Sequence, residues 1–218
     1  MTDRLFDCHT HRTDAPAGCA LVNLPDGVLD RPAAFCPPAG MLCSAGLHPW
    51  YLTDEAAVRR QAGLEALLRD GRLAAVGECG LDWLTAAPRG LQLRCFEAQA
   101  VLAARYGRPL VIHCVRAWDD LLRLRRLHPS GRWIVHGFRG GGAHAAMLLR
   151  AGLSLGFGPA ARDEALRLCP PERLFPETDE AGADALAPLY ARIAALTGTV
   201  PQELARQCRG VFAGGSPF

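Results

Sequence analysis

Two histidines stand two residues apart near the start of the chain, in the run LFDCHTH at residues 5–11. Side chains at positions i and i+2 of a β-strand point to the same face, so the imidazoles of His9 and His11 could converge on one point. Converging neutral imidazoles suit a metal ion. A pair of surface histidines in a turn is the ordinary alternative, and the spacing alone does not decide between them.

Five more candidate ligands each follow a short apolar run. They are His48 in GLHPWY, Glu78 in AVGECGLDW, His113 in PLVIHC, His136 in WIVHGF and Asp179 in FPETDE. With the first pair, five of the chain's seven histidines close such a run, although histidine is normally scattered over surfaces. Each residue also has an ordinary structural explanation. His113 or His136 could be a core histidine bonded to a backbone carbonyl, Glu78 could be half of a buried ion pair, and Asp179 could cap a helix. Because all the alternatives would have to coincide, the set favours a metal centre.

The size of the set indicates two metal ions. One catalytic zinc ion usually takes three protein ligands and a water molecule, whereas four imidazoles and two carboxylates suffice for two ions about 3.5–4 Å apart. Glu78 is the natural shared carboxylate because it comes from the middle of the strand order. Imidazole favours Zn²⁺ or Mn²⁺, and carboxylate and phosphate oxygens can recruit Mg²⁺, so the identity of the two divalent metal ions stays open.

The nine cysteines include no C-x-x-C pair, which argues against a disulfide framework or a structural zinc site. Cys8, Cys79 and Cys114 each stand beside a candidate ligand. Alternation along a strand turns neighbouring side chains to opposite faces. We therefore expect these three thiols to pack toward the helices as small core residues and not to bind metal.

Eight short apolar runs predict parallel strands that are buried on both faces. They cover residues 4–9, 19–24, 41–47, 73–79, 109–113, 132–137, 153–157 and 173–178, and helical patterns follow the later ones at 55–70, 91–107, 117–128 and 144–152. The alternation predicts an α/β fold of the TIM-like (β/α)8 barrel type. The links after the first two strands are Pro-rich, so we expect a distorted barrel whose outer helices are missing there. In such a barrel the candidate ligands meet at the carboxyl ends of the strands.

The bulk properties of the chain favour one domain, residues 1–218, because half of its 218 residues are hydrophobic. No apolar run reaches 18 residues, and the opening MTDRLFD lacks the charged-then-apolar order of a signal peptide. We therefore expect a soluble, cytoplasmic protein that has no membrane partner. The net charge of +2 is too small for a surface that wraps a polyanion.

The segments that carry the candidate ligands resemble the TatD family of metal-dependent hydrolases, which belong to the amidohydrolase-like barrels. These segments are DCHTH (7–11), GLHPWY (46–51), VGECGLDW (76–83), RPLVIHC (108–114), IVHGFRG (134–140) and RLFPETD (173–179), with the closing VPQELARQCRGVFAGG. The resemblance extends over nearly the whole chain. Each motif alone is weak, but the set in this order is specific.

The resemblance implies a role for each candidate residue. His9, His11 and Asp179 would hold one metal, His113 and His136 the other, and Glu78 would span both. It also implies that His48 contacts or orients the substrate's phosphate, and that Asp179 accepts a proton from metal-bound water.

This chain departs from the family pattern on loops that would face the substrate. After His113, the family's serine-arginine pair is replaced by Cys114 and Val115, and Arg116 follows one place later. The segment after Asp179 is shortened and lacks the usual proline-tyrosine. Arg139 lies in the Gly-rich run GFRGGG, which lacks the Lys-Ser/Thr of a P-loop; we interpret this run as a rim loop that could touch the substrate through Arg139.

Three functions remain open at this point. The first is a metal-dependent phosphodiesterase acting on DNA from an end, in which Asp179 is the general base and His48 with Arg116 or Arg139 holds non-bridging oxygens. The second keeps the metals but hydrolyses an amide, lactone or carboxylic ester, since fold does not determine function. The third is an inert metal-binding barrel, against which the full set of six ligands speaks. No obligate protein partner is indicated.

Overall fold

Eight parallel strands run in chain order through one sheet. In the computed structural model, which describes residues 4–214, they are β1 (Asp7–Thr10), β2 (Ala20–Asn23), β3 (Leu42–Ala45), β4 (Ala75–Asp82), β5 (Leu110–Val115), β6 (Trp133–Val135), β7 (Ser154–Phe157) and β8 (Leu174–Pro176). All eight predicted strands are confirmed. The opening three residues of MTDRLFD and the final glycine of VPQELARQCRGVFAGG lie outside the described residues.

Seven α-helices surround this sheet within the described residues. They are α1 (Asp54–Arg69), α2 (Arg89–Arg105), α3 (Trp118–Leu127), α4 (Gly142–Arg150), α5 (Asp163–Leu168), α6 (Leu186–Thr197) and α7 (Pro201–Phe212). The first four match the predicted helical patterns. Thr53 caps α1, since its hydroxyl accepts a hydrogen bond of 3.2 Å from the amide of Ala56. The helical patterns did not predict α5, which is only 6 residues long. They also did not predict α6, which follows the run AGADA at 181–185, made mostly of small residues.

No outer α-helix follows β1 or β2, as expected from the Pro-rich links. Two 3₁₀ turns, Asp26–Asp30 and Pro32–Ala34, occupy the second link. Arg60 of α1 holds this link through ion pairs of 3.1 Å with Asp26 and Asp30. Leu29 is fully buried against α1. The link therefore covers the sheet where a helix would otherwise lie.

The barrel closes between β1 and β8 at the carboxyl end of the strands. A single parallel bridge joins Thr10 and Asp179. The amide of Asp179 donates to the carbonyl of His9 at 2.9 Å, and the amide of His11 donates to the carbonyl of Asp179 at 3.2 Å. Below this bridge, the carboxylate of Asp7 accepts hydrogen bonds from the amide and hydroxyl of Thr178. The closure therefore brings three candidate ligands together through their own backbone.

The last two helices fasten the first strand. The buried hydroxyl of Tyr190, on α6, donates to the carbonyl of Phe6 at 2.7 Å, and the ring of Phe212, on α7, stacks on Phe6 at 5.9 Å between centroids. None of the helices in the described part of the chain combines the length and apolar character of a membrane span.

Candidate metal centre

A buried carboxylate, Glu78, lies at the centre of the barrel mouth. Its two oxygens are within 3.5 Å of five imidazole nitrogens: Oε1 is 2.7 Å from His136 Nε2, 3.0 Å from His48 Nε2 and 3.1 Å from His113 Nδ1, and Oε2 is 3.5 Å from both His9 Nε2 and His11 Nε2. Four strands or the loops that follow them supply the imidazoles, and a fifth, β4, supplies Glu78. The expected meeting of the candidate ligands at one end of the barrel is therefore present in the structure.

The second carboxylate, Asp179, lies beside the first two imidazoles. Its Oδ1 is 3.5 Å from His11 Nε2 and 3.7 Å from His9 Nε2. Asp179 has φ = +56°, a conformation that is rare for residues other than glycine and persists only where the surroundings enforce it. Here the bridge to β1 enforces it, because the same backbone hydrogen bonds that close the barrel hold Asp179 in place.

Three groups of side chains have ligand atoms close enough to share a metal ion, within 4.8 Å of one another. They are His9, His11 and Glu78; His9, His136 and Asp179; and His48, Glu78 and His113. All six predicted ligands occur in these groups, and His48 joins them. No cysteine of the described residues takes part, in agreement with the exclusion of the thiols.

His48 differs from the other imidazoles in its hydrogen bonding. Its Nδ1 accepts a hydrogen bond of 3.2 Å from the amide of Trp50, so a neutral His48 carries its proton on Nε2. Burial lowers the pKa of His48, against the opposing effect of Glu78, which favours that neutral form. Nε2 then donates to Glu78 at 3.0 Å and has no lone pair for a metal. This tautomer agrees with a role toward the substrate.

Several buried nitrogens in the centre lack a hydrogen-bond partner among the described residues. They are both ring nitrogens of His9 and Nδ1 of His136, although buried polar atoms are rarely left unpaired. The 3.5 Å from His9 Nε2 to Glu78 Oε2 is too long for a good hydrogen bond and suits two ligands of one ion. The donor set of imidazoles and carboxylates therefore fits divalent cations.

The imidazoles keep Glu78 ionised. Burial acts to raise the pKa of Glu78, but the charge of His136 and hydrogen bonds from neighbouring imidazoles outweigh it and lower the pKa far below the usual value. In return, Glu78 raises the pKa of buried His136 against the effect of desolvation. A carboxylate at the centre is thus available to a cation at neutral pH.

Asp82 is a functional candidate that the sequence arguments missed. Its Oδ2 is 3.2 Å from His113 Nε2 and accepts a hydrogen bond of 2.7 Å from the indole of Trp50, and its Oδ1 accepts one of 2.8 Å from the amide of Leu84. When Asp82 accepts a hydrogen bond from the Nε2–H of His113, the proton of the neutral ring is on Nε2. The lone pair on Nδ1 of His113 then faces Glu78 and is free to bind a metal ion. The signal was in GECGLD, where Glu78 and Asp82 are four residues apart and share one strand face.

Glu177 is the second candidate that was missed. It is 1% exposed, its Oε1 accepts a hydrogen bond of 2.5 Å from the amide of Gly137, and the same oxygen lies 3.7 Å from His136 Nδ1. Gly156 makes room for it, since a Cβ there would lie 2.2 Å from Glu177 Oε2. Glu177 stands two residues before Asp179 in PETD, the same i, i+2 spacing that marked the opening histidines.

The two arginines chosen from the sequence lie beside the centre. Arg116 and Arg139 are exposed and line a cavity of about 300 Å³ with His136, Trp118 and Cys114. Arg139 also lines a second cavity of about 270 Å³ that reaches Asp179. Neither arginine forms an ion pair with a carboxylate of residues 4–214, so both guanidinium groups are available to an anion. The GFRGGG segment (137–142) borders both cavities, since Gly137 and Arg139 line each of them. This position matches the rim loop expected from the sequence.

The three adjacent thiols have different surroundings. Cys8 and Cys79 are buried in the core, as expected. Cys114 packs partly against the core but also lines the first cavity. The expectation that Cys114 is a core residue is therefore only partly met, since the last three residues of β5 are half-buried and Cys114 borders the cavity.

Comparisons with known proteins add independent information. Residues 37–209 match the family model described as TatD related DNase. The 3'-5' ssDNA/RNA exonuclease TatD of Erwinia billingiae (strain Eb661) is 30% identical over 195 residues, which cover 76% of this chain and 73% of that protein. The uncharacterized metal-dependent hydrolase YjjV of Escherichia coli (strain K12) is 32% identical over 121 residues, which cover 54% and 47%. This chain thus spans between 47% and 73% of the length of these two relatives.

Among solved structures, the crystal structure of YjjV, a TatD homolog from Escherichia coli K12, superimposes with a TM-score of 0.75 at 24% identity. The alignment covers 98% of this chain and 99% of that one. At this identity the likeness supports the barrel fold, in agreement with the strand order described above.

Proposed function

Because this chain belongs to the TatD-related DNase family, we propose that it is a metal-dependent phosphodiesterase that removes nucleotides from an end of a DNA strand. The resemblance deduced from the sequence segments is confirmed by the family match. The chain is a hydrolase that acts on ester bonds. The name of the Erwinia relative describes an exonuclease on single-stranded DNA and RNA, which supports a single-stranded substrate in this proposal.

The observation that carries the proposal is the sharing of both Glu78 oxygens among imidazoles from opposite sides of the mouth. It supports an arrangement in which Glu78 spans two cations. His9, His11 and Asp179 would hold one of them, and His113 and His136 the other. His48 would contact the phosphate through its Nε2–H, which donates to Glu78 in this structure and would exchange that acceptor for a phosphate oxygen.

Divalent cations in this centre would supply charge neutralisation for the phosphate and a water molecule of lowered pKa. The residues of the chain would accept the proton and bind the phosphate. Asp179, partly exposed beside the second cavity, is placed to accept a proton from a nucleophile. Arg116 and Arg139 would bind non-bridging oxygens, because a guanidinium matches phosphate with two parallel hydrogen bonds.

The proposal is tested with end-labelled single-stranded DNA and a covalently closed single-stranded circle, each incubated with the purified protein and Mn²⁺, Mg²⁺ or Zn²⁺. We expect metal-dependent release of nucleotides from the linear strand alone, and no release by Asp179→Ala. Hydrolysis of an aryl carboxylic ester without hydrolysis of DNA or a bis-aryl phosphate would instead identify the carboxyl-ester alternative. Undiminished DNA hydrolysis by Asp179→Ala would contradict the assigned role of Asp179.

A further inference from the structure

Two aromatic side chains next to the centre are exposed to solvent. Trp50 and Tyr51 belong to the 3₁₀ turn Pro49–Tyr51 that follows β3, and they are 56% and 58% exposed. Leu84, which follows β4, is 63% exposed. Large exposed apolar groups that cluster beside a polar site commonly mark a binding surface.

Trp50 is held rigidly in spite of its exposure. Its indole N–H donates to Asp82 at 2.7 Å and its amide donates to His48 at 3.2 Å. Its ring makes T-shaped contacts with the rings of His48, at 4.9 Å between centroids, and of His113, at 5.6 Å. The N–H edge of the indole is thus held against Asp82 beside the candidate centre. The rest of the Trp50 ring is exposed to solvent, and its position relative to the centre is fixed by these contacts.

The two sides of the mouth differ in chemistry. The aromatic side carries Trp50 and Tyr51 beside His48, whereas the other side carries Arg116 and Arg139, which line a cavity with His136 and have no ion-pair partners among residues 4–214. Glu78 and its imidazoles lie between the two sides, since the ring of His48 contacts Trp50 and the nitrogen of His136 contacts Glu78. A flat apolar group and an anion, joined by a short linker, would satisfy both sides at once. The end of a nucleic acid strand has this composition.

We propose that the exposed face of Trp50, with Tyr51 beside it, stacks on the terminal base of the strand and so selects substrates that end in a nucleotide with an intact base. This inference rests on the proposed function. Stacking of a base on an aromatic side chain tolerates any sequence, because every base has a π-face. The terminal base would therefore be bound without regard to its identity.

The kinetic test compares single-stranded oligonucleotides that end in thymidine with oligonucleotides whose end, 5′ or 3′, carries an abasic tetrahydrofuran residue. We expect the metal-loaded wild type to prefer the thymidine end by about 5- to 150-fold in kcat/KM, the range for loss of one stacked base. Trp50→Ala should bring this preference close to one, and Trp50→Phe should keep most of it. Leu127→Ala, another exposed apolar residue at the opposite end of the barrel, should leave it unchanged.

Trp50→Phe separates stacking from the hydrogen bond to Asp82, because it keeps a ring but removes the indole N–H. If Trp50→Phe loses the preference as fully as Trp50→Ala, the residue acts by holding Asp82 and the stacking proposal is wrong. Equal rates on thymidine and abasic ends in the wild type would also overturn it, while leaving the phosphodiesterase proposal intact.

A binding measurement gives a readout that is independent of turnover. The metal-loaded protein is titrated with a thymidine dinucleotide whose bridging ester oxygen is replaced by a methylene group, which keeps the negative charge of the linkage and resists hydrolysis. We expect tryptophan fluorescence to fall on binding in the wild type and to stay constant in Trp50→Phe. A fall of equal size in the variant would assign the signal to another tryptophan and contradict stacking on Trp50. Absence of hydrolysis of every oligonucleotide would refute the proposed function, and this titration would still test stacking.

Discussion

Nε2 of His136 lies 2.7 Å from Oε1 of Glu78, the shortest contact between an imidazole and the central carboxylate. His136 follows β6 and Glu78 lies within β4, so the contact crosses the mouth of the barrel over the intervening β5. On the other side, Oε2 of Glu78 faces His9 at 3.5 Å. One carboxylate therefore connects imidazoles that come from distant parts of the chain.

The first prediction concerns Glu78 and metal binding. Glu78→Gln should abolish metal binding and phosphodiester hydrolysis, since the neutral amide removes the charge that cations and imidazoles share. Saturating metal should raise the Tm of the wild type by about 5–10 °C, as binding at a hundredfold excess over Kd adds about 2.7 kcal/mol to stability. Elemental analysis and thermal melts with and without EDTA measure both effects.

Glu164→Gln is the matched control, because Glu164 is 59% exposed and pairs only loosely with Arg162 at 3.9 Å. It should keep the metal content and the EDTA-sensitive Tm. A Glu78→Gln protein that still melts at the metal-raised temperature would show that Glu78 is not a ligand.

The second prediction concerns the orientation of His113. Asp82→Asn should weaken metal binding by about 10- to 100-fold, the usual effect of removing a carboxylate that orients a ligating histidine. Affinity is measured by competition with a chromophoric chelator. Asp120→Asn removes a carboxylate of an exposed ion pair on α3 and should have no effect. Unchanged affinity in Asp82→Asn would mean that the ring of His113 is oriented by other contacts.

The third prediction concerns the phosphate side of the mouth. Arg116→Ala and Arg139→Ala should each raise KM for oligonucleotides about tenfold, since one charge-assisted hydrogen bond contributes about 1.5 kcal/mol. The effect should weaken as salt rises, because salt screens exposed charges. Arg126→Ala, on the exposed end of α3, serves as the control. If the three variants have the same KM, these two arginines do not bind substrate.

The fourth prediction concerns the link that replaces an outer helix. Gly63→Ala should destabilise the protein by about 1–3 kcal/mol, because a Cβ at Gly63 would lie 2.0 Å from the carbonyl oxygen of Leu29. Gly210→Ala, also on a helix but with nothing within 4 Å of the added Cβ, should stabilise it by about 0.5–1 kcal/mol. Urea unfolding measures both. Equal stability of the two variants would contradict the close packing of α1 on this link.

The layout of the barrel and the meeting of the candidate ligands at one end of it could be predicted, because both follow from local sequence patterns. Apolar runs of strand length alternate with helical periodicity, and each histidine or carboxylate stands where a run ends. Parallel strands place such ends at one edge. The residues His9, His113 and Glu78 therefore had to be neighbours once the strand order followed the chain, and the Pro-rich links already indicated where outer helices are absent.

The contacts that Asp82, Glu177 and Trp50 make with the candidate centre became visible only in the structure. The spacing of Asp82 from Glu78 and of Glu177 from Asp179 is a sequence signal, but it does not say which nitrogen of His113 or His136 each carboxylate faces. The tautomer of His48 likewise depends on the amide of Trp50. These are properties of angles and distances of a few tenths of an ångström, which residue types do not encode.

The sequence by itself determined the eight strands, the first four helices and the chemical groups that follow the strands, because strand and helix periodicity act over a few neighbouring residues. Only the tertiary structure decided which groups touch. The closure of β8 on β1 holds Asp179 in a strained backbone conformation beside His11, and the loops place Trp50 against His48 and Arg139 beside His136. Both depend on contacts between residues far apart in the chain, where packing and hydrogen bonding across the barrel outweigh local preference.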